Sequence, residues 1–433
     1  MSDVPPSPGD AGSSDSRQFP LAAIWLAVIG LLAGVGITTL VINEDARPAL
    51  AGGGSFGGDD WKLWAEEDAN LRGAILHQRR VYAALDAGES YGDTSFGPPI
   101  IADDLARLKA AGANYVHISH PGLYRERAPF GLDRGAQSNL DQIIAHATAA
   151  GLKVVIGIRS GPGRSEWSLE RSRPPRKVPK ALINRRIWRS EPAQDAWAAM
   201  WRYTAARYAD ESSVVGYEVM VAPDPETAYS GDTPATLEAR SPEAMKTWQA
   251  IHAASVREIR AGDGDSPILV SGPGGGRIAW MSLIDEVPGE GIVYVAQADE
   301  PAAFTSQQPR SGPAYPARYD ADGDGDRELV DDVWLAELVS ELSAQSRRLD
   351  APVAISRYGV PRWAPGGGRY LRDLHAEFER AGLNPALWEW RPAWPATRRL
   401  DAFDILNGPS PGNHTPVENE VADAVALHWD RND

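Results

Sequence analysis

The sequence predicts a (β/α)8 barrel, the TIM barrel, preceded by a single transmembrane helix. Three observations carry that expectation. Short β-branched apolar runs alternate with longer helical patterns eight times after residue 60, as repeated parallel βα units do. Ahead of them stands an uncharged apolar stretch long enough, at helical rise, to cross the hydrocarbon layer. No Gly-rich phosphate fingerprint follows the first strand, which counts against the alternative, a doubly wound open sheet.

Residues 1–19 are rich in Ser, Pro, Asp and Gly without apolar periodicity, and read as a disordered cytoplasmic tail. Residues 20–42, which include LAAIWLAVIGLLAGVGITTLVI from Leu21, read as the membrane span. A cleaved signal peptide competes, because Ala49-Leu50-Ala51 has small residues at cleavage spacing. The apolar run is too long for it and the site too distant. Arg17 and Arg47 flank the span evenly, so the orientation, with the barrel outside the cytoplasm, rests on the shortness of the tail. Gly30 and Gly34 form a small-xxx-small pair that would let two anchors approach. Residues 43–60 read as a Gly-rich linker.

Residues 61–433 then hold the barrel. Its strand candidates are LRGAILH from Leu71, NYVHIS from Asn114, KVVIGIR from Lys153, VVGYEVMV from Val214, PILVSGP from Pro267, IVYVAQ from Ile292, PVAISRYG from Pro352 and PALWEW from Pro385. Helical patterns follow at Ala102 to Ala111, Leu140 to Ala150, Gln194 to Tyr208 and Pro242 to Arg260. In such a barrel, function sits in the loops after the strands.

Composition narrows the function classes. Hydrophobic residues at 43% and charged residues at 24% are ordinary globular usage, which excludes fibrous and fully disordered chains. A formal charge of -16 repels phosphate backbones, so nucleic acid is excluded as a partner. With no Cys, disulfides, thiolate catalysis and sulfur-bound metal sites are excluded. No motif for an organic cofactor is present; Gly274-Gly275-Gly276 and Gly366-Gly367-Gly368 lack the neighbouring Lys-Ser/Thr and read as turns. Fifteen Trp suit both core packing and the apolar faces of sugars.

Several strand ends together resemble glycoside hydrolase family 5, the cellulase-type barrels, over roughly residues 71–400. The similar stretches are GANYVHISHPG from Gly112, VVIGIRSGPGRSEW from Val154, VVGYEVMVAP from Val214, IVYVAQADEPAAFTSQ from Ile292, PVAISRYGV from Pro352 and ALWEWRP from Ala386. The resemblance implies a retaining mechanism with an acid/base Glu and a nucleophilic Glu about 5 Å apart. The acid/base belongs in an Asn-Glu-Pro turn after the fourth strand, which matches Val221-Ala222-Pro223. The nucleophile belongs at the end of the seventh strand, where ISRYG places Arg357. Neither residue can do the chemistry, so no catalytic residue is assigned at the family positions.

Partner residues differ too. The His-x-Tyr the resemblance places after strand six is Gln297-Ala298-Asp299, and the strand-two Arg is His117. Since that Tyr bonds the nucleophile in the family, Asp299 is expected beside Arg357 as an ion pair; the alternative is that each faces solvent. Trp388 matches the strand-eight sugar platform, against a barrel-closing core role, and Trp390 shares the ambiguity. His120, Arg159, Arg164, Glu166 and Trp167 lie on loops two and three, where they would meet hydroxyls or anchor their own loops. The glycan-binding candidates are thus His117, His120, Arg159, Trp167, Gln297, Asp299, Arg357, Trp388 and Trp390. Glu218 has the parity of Ala222 but lies deeper in its strand, whereas Asp224, Glu226, Glu300 and Glu389 are nearer the mouth and could form a relocated pair.

A second motif, DADGDGDRELVD from Asp320, places carboxylates and a Gly where a calcium loop needs them. Asp320, Asp322, Asp324, Asp326 and Asp331 are the candidate ligands, against the reading of a solvated acidic turn before a helix. Three functions stay open: a non-catalytic barrel binding a polysaccharide or oligosaccharide, an active glycosidase with relocated carboxylates, and a structural partner of another membrane protein.

Overall fold

The structure, a computed structural model, describes residues 58–66, 71–82, 95–97, 99–168, 178–229, 233–390 and 401–432. The expected tail, membrane span and most of the linker lie outside them. Among the described residues no helix is long and apolar enough to cross a membrane.

Helix α1 (Asp59–Ala65) opens the described chain, so the last two residues of the expected linker are helix instead. Asp59 and Asp60 occupy its first turn, where carboxylates complement the exposed N–H groups. Eight parallel strands then close a barrel in sequential order: β1 (Gly73–His77), β2 (Tyr115–Pro121), β3 (Lys153–Ser160), β4 (Val214–Glu218), β5 (Ile268–Ser271), β6 (Ile292–Ala298), β7 (Val353–Tyr358) and β8 (Pro385–Leu387), with β8 pairing β1. All eight strand candidates are thus strands, though the fourth and the eighth stop pairing about three residues earlier than their apolar runs do.

Both faces of each strand are buried, which is why these runs are continuously apolar rather than alternating. Inward residues Ile75, Tyr115, Val155, Val215, Leu269, Val293, Ala354 and Ala386 meet Trp61 and Trp64 of α1, which plugs the N-terminal end. The Trp64 indole donates to Val215 O at 2.9 Å. Outward residues such as Val116, Ile118, Val154 and Ile156 pack under the helices α2 (Ala102–Ala110), α3 (Arg134–Ala149), α4 (Glu191–Tyr208), α5 (Pro242–Gly262), α6 (Asp332–Leu349), α7 (Gly367–Arg380) and α8 (Glu420–Trp429).

The helix expected in the fifth repeat, after β5, is missing. There Pro273 leads into Gly274, Gly275 and Gly276, all with positive φ, and only a 3-10 stretch (Ile278–Leu283) follows. Three consecutive left-handed residues cannot start an α-helix. Much of the Trp surplus belongs to the helix layer: Trp188, Trp197, Trp201, Trp248 and Trp429 are fully buried. Trp201 donates to Val219 O at 2.8 Å and Trp248 to Ser271 O at 3.1 Å, so each indole satisfies a carbonyl where a strand ladder ends.

Candidate functional site at the barrel mouth

The floor of the C-terminal mouth is polar. His117 of β2 and Glu218 of β4 point inward and approach to 2.7 Å, Nε2 to Oε2, with both side chains buried. The Ser271 hydroxyl donates to the other oxygen of Glu218. Gly157 of β3 makes room for them, since a Cβ there would lie 2.8 Å from His117 Nε2 and 2.7 Å from Val221 Cγ2. His117 is therefore a floor residue beneath the mouth.

Above Glu218 the chain leaves its strand through Val219–Pro223. Val221 N still donates to Ile158 O at 2.8 Å, and Ala222 then takes φ 50°, a left-handed conformation that costs a residue with a Cβ about 1–2 kcal/mol. Arg164 holds this turn. Its Nη1 donates to Val221 O at 3.0 Å and to Arg159 O, its Nη2 to Ala222 O, and its Nε to Asp224 Oδ1 at 3.0 Å. Asp224 also accepts from Trp188 Nε1 at 3.3 Å and Thr227 Oγ1 at 3.0 Å. Asp224 and Arg164 are fully buried structural partners, and neither faces the mouth as a free group.

Opposite, β7 delivers Arg357 by a bulge. Ala354 faces the interior and Ile355 the helix layer, and the register with β6 slips between Ile355 and Arg357. The extra residue lets Arg357 face inward while Tyr358 faces outward to His375 of α7, 2.9 Å from its hydroxyl. Arg357 Nε lies 3.3 Å from Asp299 Oδ1, so the expected ion pair is present. It is an electrostatic approach without hydrogen-bond alignment, because Nε–H remains unpaired. The guanidinium sits 4.7 Å over the Trp388 ring, with room for a cation–π contribution. Gln297, at the end of β6, lies beside Gly276 with its amide Nε2 3.7 Å from where a Cβ would stand.

The third side of the mouth comes from β1 and β3. Arg159 Nε donates to Glu166 Oε1 at 2.9 Å, and His77 Nε2 lies 3.4 Å from the same oxygen. Burial alone would push the Glu166 carboxyl up, but Arg159 and His77 hold it down at about 2. The His77 ring stands 5.5 Å from that of Trp388, making His77 a mouth residue that the sequence reading missed. Its only sequence signal is its place at the end of the first strand. Trp167 packs edge-on to Tyr82 at 6.1 Å and lies under Arg79 at 5.2 Å, on the rim beside this group.

Burial raises the pKa of three further carboxyls. Burial pushes Glu389 up to about 8, with Arg357 and Arg159 offsetting only part of it. Burial, reinforced by Asp299, pushes Glu300 up to about 8, with Arg277 and nearby backbone N–H groups offsetting only part of it. Burial and then Asp224 push Glu226 up to about 7, although Gly274 N donates to it at 3.1 Å. Because the folded pKa of Glu300 is raised, its contribution to stability is present below the unfolded value and lost as pH rises through about 8. Glu300→Gln should therefore raise the melting temperature relative to the parent at about pH 9 and leave it nearly unchanged at about pH 5, as differential scanning calorimetry would show. Equal gains at both pH values would contradict the burial-driven shift.

Two sugar-binding candidates belong elsewhere. His120 points outward from β2: its Nε2 is 2.9 Å from Asn139 of α3, Nδ1 contacts Pro121 O, and the ring stacks on Phe96. Its alternation relative to His117 puts it on the helix side. Trp390 lies beyond the end of β8, in the helix layer, where its indole donates to Asp104 O at 2.9 Å and its ring meets Trp429. It is a core Trp. In the acidic loop, Asp320, Asp322 and Asp324 each bring a carboxylate oxygen within 4.8 Å of the others, and Asp326 and Asp331 fall outside that group. Asp331 instead caps α6, accepting from Trp334 N at 3.2 Å.

Comparison with known proteins agrees with this barrel. The cellulase model, glycosyl hydrolase family 5, matches residues 81–392. A crystal structure described as a glycoside hydrolase superposes with TM-score 0.60 at 19% identity, over 83% of this chain and 99% of that one. The endoglucanase Cel5A of the hyperthermophile Thermotoga maritima gives 0.55 at 17%, over 85% and 100%. A broad-specificity endoglucanase from Clostridium longisporum gives 0.57 at 12%, over 84% and 97%. At these identities the likeness is one of fold. No curated protein sequence matches.

Proposed function

The chain belongs to the cellulase family, glycosyl hydrolase family 5, and from that premise we propose that it binds or organises an extracytoplasmic polysaccharide at the barrel mouth without cleaving it. One observation carries the reading: among the described residues, each acid that could replace the missing pair has a cation beside it or a pKa raised by burial. Asp224 is spent on Arg164, Asp299 lies against Arg357, and Glu166 is shared by Arg159 and His77. Glu226, Glu300 and Glu389 keep their protons to about 7 or 8. Glycoside hydrolysis needs a proton donor and also a free anion facing the sugar. Arg357 adds an obstacle, since a cation about 4 Å from the oxocarbenium-like centre at an effective dielectric of about 20 opposes it by roughly 4 kcal/mol, or about three decades in rate.

A second reading, an active glycosidase, finds a candidate pair in Glu389 and Glu166, whose environments push their pKa values apart, Arg159 acting on both. The contacts that hold Glu166 down also tie up the oxygen that would act. The third reading, a structural partner in a membrane assembly, loses ground to a mouth that keeps a half-exposed Trp388 and polar groups. The proposal also keeps a single span at residues 20–42 with the barrel outside, and a calcium ion on Asp320, Asp322 and Asp324, tying down the loop before α6.

The full-length chain in detergent should bind oligosaccharides on a glycan array and release no reducing sugar from them. Trp388→Ala should weaken that binding by about tenfold or more, the value of one lost aromatic platform. Release of reducing sugar that Glu389→Gln abolishes would establish the glycosidase instead. Neither binding nor release would leave the structural-partner reading.

A further inference from the structure

Buried arginines in this barrel normally exhaust their donors. Arg164 makes four hydrogen bonds to its surroundings. Arg362 spends Nε on Asp401 O, Nη1 on Gly408 O and Ser410 O, and Nη2 on Asp401 Oδ2 and Asn413 O. Arg357 differs: among the described residues its guanidinium donates no hydrogen bond, although its side chain is only 24% exposed. Arg159, 14% exposed, donates among the described residues only through Nε. Two partly enclosed guanidiniums at one mouth therefore carry unspent N–H groups, and such groups are costly to leave unpaired.

Little free negative charge faces them. Asp299 and Glu166 lie against Arg357 and Arg159, Arg277 acts on Glu300, and burial raises the Glu300 and Glu389 carboxyls to about 8. The chain as a whole carries a formal net charge of -16. Long-range repulsion by the acidic surface is screened beyond about 8 Å at physiological salt, so it does not decide a contact made inside the mouth. The Trp388 ring lies 4.7 Å beneath the Arg357 guanidinium and helps to fix its plane.

We propose that the mouth is built for an acidic sugar: a uronic acid unit whose carboxylate accepts from the unspent N–H groups of Arg357, with Arg159 alongside and Trp388 backing the guanidinium. The planar guanidinium matches a carboxylate in a two-point geometry that a neutral hydroxyl cannot reproduce. On this view the residue that stands where the resemblance expects a nucleophile serves recognition. The assignment rests on the non-cleaving glycan-binding reading and names its ligand class.

Calorimetric titration of the full-length chain with gluco-, galacto- and mannuronate oligosaccharides, each beside its carboxyl-reduced neutral counterpart, tests it. At least one acidic oligosaccharide should bind about tenfold or more tighter than its neutral counterpart. Arg357→Gln should erase that preference, with the ratio of acidic to neutral affinity falling to about one and the melting temperature staying close to the parent, and Arg357→Lys should keep part of it. Neutral sugars binding as well as acidic ones, or a preference that survives Arg357→Gln, would overturn the acidic-sugar assignment and leave glycan binding standing. No binding in either series would overturn both, and shortening of any oligosaccharide during the titration would overturn the non-cleaving reading.

Discussion

Arg164→Ala should destabilise the barrel by about 3–5 kcal/mol, the range found when one partner of a buried ion pair is removed. The side chain is fully buried, and its guanidinium joins the third βα loop to the turn after β4. Removing it strands Asp224 without its cation, orphans the Val221 and Ala222 carbonyls, and frees a turn whose Ala222 already sits at φ 50°. The double variant Arg164→Ala/Asp224→Ala should lose less than the sum of the two single changes, because no charge is then left buried alone. Urea unfolding of the four chains in the cycle measures this. Additive losses would mean that Arg164 acts through packing alone and that the ion pair is incidental. The site consequence is direct: with Arg164 gone, the segment carrying Ala222 loses its fixed place over Glu218.

The strands were legible because a parallel barrel buries both faces of each strand, so each appears as an unbroken β-branched run. The helix missing after β5 was not, since PILVSGP followed by three Gly reads equally well as a strand, a turn and then a helix. His117 and His120 show the limit at the site. Three residues apart on one strand, they must face opposite ways, and only the closed barrel says which way is in. Trp388 and Trp390 share parity, but pairing in β8 stops at Leu387, and past that residue alternation no longer governs which way a side chain faces. The Arg357–Asp299 approach was legible through the family resemblance, which sets those two positions side by side, whereas the bulge that aims Arg357 inward was not. Asp331 reads as position 12 of a calcium loop and also as the residue before a helix, and the helix cap is the role it fills. Glu226, Glu300 and Glu389 were visible as acids near strand ends, but their retained protons come from enclosure, which no local pattern encodes.

Restoring carboxylates at the two positions the family resemblance marks should not by itself restore hydrolysis. Ala222→Glu/Arg357→Glu removes the cation and adds two acids, yet the carboxyl at 357 then stands beside Asp299, now 3.3 Å from the Arg357 Nε. Two carboxylates about 4 Å apart at an effective dielectric of about 20 repel by roughly 4 kcal/mol, which raises one of them by about three pKa units. At neutral pH they share a proton. The intended nucleophile is then blunted while Glu389 remains a second neutral acid nearby. Adding Asp299→Tyr removes the competing charge and, where the resemblance places a Tyr, supplies a hydroxyl that donates to the nucleophile and favours its anion. Asp299 is partly exposed, so the larger ring has space toward solvent. The double variant should therefore release no reducing sugar above the parent, whereas the triple variant should release it measurably and lose that activity when either new Glu is returned to Gln. A folded triple variant that stays silent would show that the block is not charge at this one spot, and would turn attention to His117, where the resemblance expects an Arg and the structure instead has a side chain spent on Glu218.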